Sequence, residues 1–141
     1  MDEAVVKYYR KLLRSDFEHS GSLENPSIFV DSVGEKMHIC SQVGRNYIHL
    51  YANIRNDVIE NIKYLCTCDP TANVAVEILC ILVKGQNLAA IDKINEENFF
   101  QVLGCASDEL GKKARGLLEL LRAGIKRYKQ GSPLPISAIM D

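Results

Sequence analysis

The sequence predicts an α+β domain, a three-stranded antiparallel sheet with helices packed on one face. Three observations predict it. Apolar residues recur with a helical period from Asp2 to Arg14 and again from Pro70 onward. The stretch between Lys36 and Cys66 alternates with a period of two instead. The connections inside that stretch are short, which implies a meander.

Asp2 to Arg14 reads as an amphipathic helix, with Val5, Val6, Tyr9, Leu12 and Leu13 on one side and Lys7, Arg10, Lys11 and Arg14 on the other. Ser20, Gly21, Ser22, Asn25 and Pro26 then mark Ser15 to Gly34 as an irregular crossing segment. Lys36 to Ser41 is the first strand candidate. In Tyr47 to Ile54, the residues Ile48, Leu50, Ala52 and Ile54 alternate with Tyr47, His49, Tyr51 and Asn53, as a half-buried strand requires. Arg55-Asn56-Asp57 suits a tight turn, and Val58 to Cys66 is the third strand, with Ile62, Tyr64 and Cys66 on one face.

Asp69-Pro70 marks a helix start, because the carboxylate can cap free amides and proline suits the first helical position. Ala72, Ala75, Ile78, Leu79, Leu82 and Val83 give that helix a wide apolar face, and Gly85 is placed to end it. Leu88 to Lys93 is a short helix, Asn95 caps another carrying Phe99, Val102 and Leu103, and Ser107 opens the last long one. In that helix Leu110, Ala114, Leu117, Leu121, Ile125 and Tyr128 point inward. Residues 1–130 make one domain, and 131–141, with two prolines, are expected to be a flexible tail.

The 141 residues are 47% hydrophobic and 25% charged, with a formal charge of −1. That balance gives no strong field toward nucleic acid or membrane, and no segment has the length of a membrane span. The helical, charged start has no signal-peptide core, so a cytoplasmic location is expected. No glycine-rich phosphate loop, nucleophile elbow or metalloprotease motif points to an enzyme. The basic run of the last helix (Lys112, Lys113, Arg115, Arg122, Lys126, Arg127, Lys129) reads as a solvated face.

Five cysteines in a reducing compartment argue for metal binding, sulfur chemistry or burial rather than a disulfide framework. Cys66 and Cys68 stand two apart at a strand end, with Asp69 as a further oxygen donor at the mouth of a helix. The positive amino end of that helix favours thiolate over thiol, which both metal ligation and sulfur transfer need. The structural alternative makes Cys66 a small hydrophobe. Cys40 ends or follows the first strand candidate, near the turn Ser41-Gln42-Val43-Gly44, and can share the sheet end with Cys68. Cys80, between Leu79 and Ile81, reads as core, and Cys105, after Leu103-Gly104, is accessible but not activated by any neighbour in sequence. His19, His38 and His49 match no metal-ligand spacing.

Several stretches resemble the NifU/IscU-like iron–sulfur scaffold family. Tyr8-Tyr9, Phe17-Glu18 and Gly21-Ser22-Leu23 are similar to its opening. Ile59-Glu60-Asn61-Ile62-Lys63-Tyr64 leading to Cys66 and Cys68 resembles its last strand and second cysteine. Val83-Lys84-Gly85-Gln86-Asn87-Leu88 resembles its Val-Lys-Gly-Lys-x-Leu, and Leu121-Arg122-Ala123-Gly124-Ile125 its closing helix. The resemblance covers most of residues 5–128. It implies a scaffold that is not an enzyme and holds a nascent iron–sulfur cluster, a transient 2Fe–2S unit, or zinc. Its partners would be a cysteine desulfurase and apo-protein acceptors, with a homodimer left open.

Carried over, the ligand set is Cys40, Cys66 and Cys68, with Asp69 as a fourth metal ligand and Cys105 as a substitute only if its loop is rearranged. The family's Cys-Gly-Asp reads Cys40-Ser41-Gln42 here, and Lys112-Lys113 stand where the family has His-Cys. SufE-like sulfur acceptors are also resembled, by Ile39-Cys40-Ser41-Gln42-Val43 and by Phe99 to Leu118; on that reading Cys40 alone carries a persulfide. A third reading is an interaction module that kept the fold and lost its chemistry.

Overall fold

A computed structural model describes residues 2–36, 39, 46–67 and 69–131. The chain runs α1 (Glu3–Arg14), β1 (Ile28–Asp31), β2 (Ile48–Arg55), β3 (Val58–Cys66), α2 (Pro70–Val83), α3 (Leu88–Ile91), α4 (Glu96–Leu103) and α5 (Asp108–Lys129). The three strands form one antiparallel sheet in the order β1-β2-β3, so the α+β class holds.

The first strand is not the one the periodicity suggested. β1 is Ile28–Asp31, inside the segment read as irregular. Lys36 stands in a turn at φ +57, and Ile39 is buried outside any strand; Met37, His38, Cys40 and Ser41 lie outside the described residues. Alternation failed because β1 is covered on both faces. Ile28 and Val30 press against Gly124 of α5, while Phe29 joins Tyr51, Leu23 and Leu65 in a second cluster on the opposite face. A four-residue run buried on both sides carries no period-two signature. Serines flank the strand and tie it to β2: Ile54 N–H donates to Ser27 Oγ (3.0 Å) and Ile48 N–H to Ser32 Oγ (2.9 Å).

β2 and β3 match the sequence reading to within a residue. Asn56 and Asp57 both take left-handed backbone (φ +54 and +59), the primed hairpin turn that fits the twist of the strands it joins. The outer edge of β3 is shielded at both ends. Tyr64 N–H donates to the His19 carbonyl and Gly21 N–H to the Tyr64 carbonyl, while Ile59 exchanges backbone bonds with residues 85 and 86. These bonds occupy groups that would otherwise template pairing with another chain.

α2 is the core helix. Asp69 caps it through Ala72 N–H (2.9 Å), Pro70 opens it, and it packs on the sheet, α1, α4 and α5. On α1 the inward stripe is Val5, Tyr8, Tyr9 and Leu12, whereas Leu13 is 54% exposed. Tyr128 likewise ends α5 exposed rather than buried.

Of the basic residues of α5, Lys112, Lys126 and Lys129 are exposed, as a solvated face requires, whereas the others are engaged. Arg115 pairs with Glu96 (2.5 Å), Arg127 with Glu35, and Arg122 donates to the carbonyls of Ile91, Asp92 and Ile94. α5 therefore fastens the loops on either side of it. No helix among the described residues is long and apolar enough to cross a membrane.

Candidate thiol site at the carboxyl end of β3

The connection that contains Cys40 leaves β1 at Asp31 and enters β2 at Ile48. Both points lie at one end of the sheet, since Asp31 pairs with His49 and Ile48 with Cys66. The carboxyl end of β3 and the amino end of α2 are at that same end. Cys66 is half-buried and packs against the main core. Thr67 N–H donates to the Tyr47 carbonyl, and Tyr47 N–H donates in return to Thr67 Oγ1 (3.0 Å), fixing the strand exit against β2.

Lys113 ties the two cysteine-bearing segments together. Its Nζ lies 3.3 Å from Asp69 Oδ2 and donates to the backbone carbonyl of Ile39. One ammonium thus holds the chain neighbour of Cys68 and the chain neighbour of Cys40. Ile39 is seated there by contact with α5 at Gly116, where an added Cβ would come 2.9 Å from Ile39 Cγ1. The Lys113 side chain is only 14% exposed, so solvent screens its charge incompletely. Asp69 faces two sources of positive potential, the ammonium of Lys113 and the free amides of α2.

Cys40 and Cys68 themselves lie outside the described residues. Among the described residues no group of three or more His, Cys, Asp or Glu could hold a metal, and Cys66 with Asp69 is the part of the expected ligand set that is described. Cys105 is exposed and lines a different groove, between α1 and the end of α4. Cys80 is fully buried in α2, and burial, reinforced by Glu77, pushes its thiol pKa well up.

Glu77 belongs to a buried network that sequence reasoning missed. It is 1% exposed and accepts from the His19 backbone N–H (Oε1, 3.0 Å), with His19 Nδ1 at 2.9 Å from Oε2. Tyr64 Oη lies 3.0 Å from Glu77 Oε1 and 2.9 Å from Asn73 Oδ1. Burial first, and the Glu77 charge second, push the Tyr64 phenol far above its ordinary range. The available signal was a single acidic residue within the apolar run Val74 to Val83.

No family model matches the chain, and no curated protein matches its sequence. Solved structures do match. A nitrogen-fixing NifU-like protein (N-terminal part) from Brucella abortus superposes with a TM-score of 0.62 at 7% identity, over 93% of this chain and 95% of that one. A hypothetical protein superposes at 0.55 with 17% identity, over 84% and 97%. A candidate iron–sulfur cluster assembly scaffold protein for the SUF system from Fervidobacterium islandicum gives 0.49 at 16% identity, over 92% and 86%. At 7% identity the match to the Brucella protein is one of backbone architecture. This chain has the fold of a NifU-like protein.

Proposed function

We propose that the chain is an iron–sulfur assembly scaffold that holds a nascent cluster, or zinc, as cargo through Cys40, Cys66 and Cys68, with Asp69 as a fourth donor. The observation that carries this reading is the double hold of Lys113 on Ile39 and Asp69. It supports a convergence of the segments bearing Cys40 and Cys68 at the strand end where Cys66 sits. The donor chemistry fits the cargo: thiolates suit both iron–sulfur units and zinc. The Lys113 ammonium favours the thiolate form of nearby cysteines and offsets the negative charge of a thiolate-bound cluster. For Asp69 to ligate, its carboxylate must exchange the ammonium for the metal.

The test is a zinc titration against a competing chelator. Cys40→Ser, Cys66→Ser and Cys68→Ser should each weaken binding by about tenfold or more, on the order of the loss of one zinc ligand. Cys80→Ala should leave it unchanged. Equal affinity in all four variants would remove the shared site.

The Lys113 ammonium also favours a second reading, a sulfur acceptor, because it supplies a counter-charge beside the Ile39 carbonyl without any metal. In that reading the Cys40 thiolate attacks the outer sulfur of a desulfurase persulfide. A new S–S bond forms on Cys40, the old one breaks, and the desulfurase cysteine leaves as thiolate. Persulfide accumulating on Cys40 alone, with zinc affinity unaffected by Cys66→Ser and Cys68→Ser, selects this reading over the scaffold.

A further inference from the structure

On the outer side of α1 a groove of about 710 Å³ runs between that helix and the end of α4. Among the described residues four cations line it, Lys7, Arg10, Lys11 and Arg14, and no carboxylate does. Their spacing of three, four and seven residues sets them along one face of α1, a stripe roughly 10 Å long at the helical rise. None of the four takes part in an ion pair among the described residues. Lys11 Nζ instead sits 5.6 Å from the centre of the Tyr8 ring. In a chain of formal charge −1 this is a local concentration of positive charge.

The floor is of a different character. Ala4, Tyr8, Val102 and Leu103 present half-buried apolar surface between the two helices. At Gly104, which lines the groove, the backbone turns left-handed (φ +100) and ends α4. Cys105 stands exposed there.

We propose that this groove docks an acidic, amphipathic segment of a partner protein, with carboxylates along the α1 stripe and apolar side chains on the Val102–Leu103 floor. A small anion would meet one or two of the four cations, whereas a stripe two helical turns long matches charges repeated along a chain. An apolar floor has no use for a simple polyanion. The proposal does not rest on the cysteine site, since among the described residues none of Cys66, Asp69 or Lys113 lines this groove.

The probe is a fluorescein-labelled peptide in which Glu and Leu follow an amphipathic helical pattern, titrated by anisotropy against the full chain at low and physiological salt. Binding should weaken with salt, and the peptide should slow alkylation of Cys105 as read by peptide mass spectrometry. Lys7→Glu combined with Arg10→Glu should weaken binding about tenfold or more. Both positions are exposed, and circular dichroism would confirm that the variant folds. Lys7→Gln with Arg10→Gln should fall between the two and serves if the reversal does not fold. A polyglutamate peptide of equal charge should bind more weakly, because it leaves the apolar floor empty. Undiminished affinity in the variants, an unprotected Cys105, or polyglutamate, tripolyphosphate or oligothymidylate binding as tightly as the amphipathic peptide would each overturn the proposal.

Discussion

Glu77 can stay in the core at 1% exposure because His19 and Tyr64 satisfy both of its oxygens. The same bonds hold residues 19–21 against the edge of β3, so one buried carboxylate couples the long crossing segment to the sheet. Removing it strands a buried imidazole and a backbone N–H, while the Tyr64 phenol keeps Asn73 Oδ1 as an acceptor. Glu77→Leu should therefore cost about 3 kcal/mol in urea unfolding, even though leucine suits a core helix. A loss under about 1 kcal/mol would show that the network contributes little. The raised pKa values of Tyr64 and Cys80 give a pH dependence of defined sign. Each group keeps its proton to higher pH folded than unfolded, so its contribution is full below the unfolded pKa and is lost as pH rises above it. Stability should decline from about pH 8.5 for the thiol and about pH 10 for the phenol. Tyr64→Phe should flatten the upper part of that decline. None of this was legible in the sequence, because a lone Glu in an apolar run does not reveal which partners from distant segments will meet it.

Among the elements, those with local signals were legible: Asp69-Pro70, Asn95 and Ser107 start helices where their capping chemistry says they should. β1 was not, because burial of both its faces is decided by α5 and by Tyr51, which lie far away in sequence. Its packing makes a specific prediction at Gly124. A Cβ there would come 2.6 Å from Ile28 Cγ2 and 2.7 Å from Val30 Cγ1, both on β-branched side chains with little rotamer freedom. Gly124→Ala should destabilise by about 1–3 kcal/mol despite the better helix propensity of alanine. A stabilised variant in thermal unfolding would mean that β1 can move away from α5. The Asp69 cap is separately testable. Asp69→Ala should cost about 1 kcal/mol, as a typical N-cap does, and it also releases Lys113 from its ion pair.

For the molecule as a whole, the strand expected to lead into Cys40 needs correcting, and Cys40 itself lies outside the described residues. The periodicity places Cys40 at the exit of a first strand over residues 36–41. In the structure β1 ends earlier, at Asp31, and the connection bearing Cys40 begins and ends at the sheet end where β3 exits. Antiparallel topology gives the same end in both cases. Lys112 and Lys113 were visible in the sequence, but the use of Lys113 was not. It bridges two loops, and only the packing of Ile39 against Gly116 brings the first of them within reach.

If Cys40, Cys66 and Cys68 act together on one cargo, iron and acid-labile sulfide content after anaerobic purification and reconstitution will show it. Shared ligation predicts comparable amounts of iron and sulfide on the unmodified chain and on Cys80→Ala. It predicts loss of most of both in each of Cys40→Ser, Cys66→Ser and Cys68→Ser. A reconstituted chain that carries neither iron nor sulfide, or that keeps both when Cys66 and Cys68 are replaced, would contradict it.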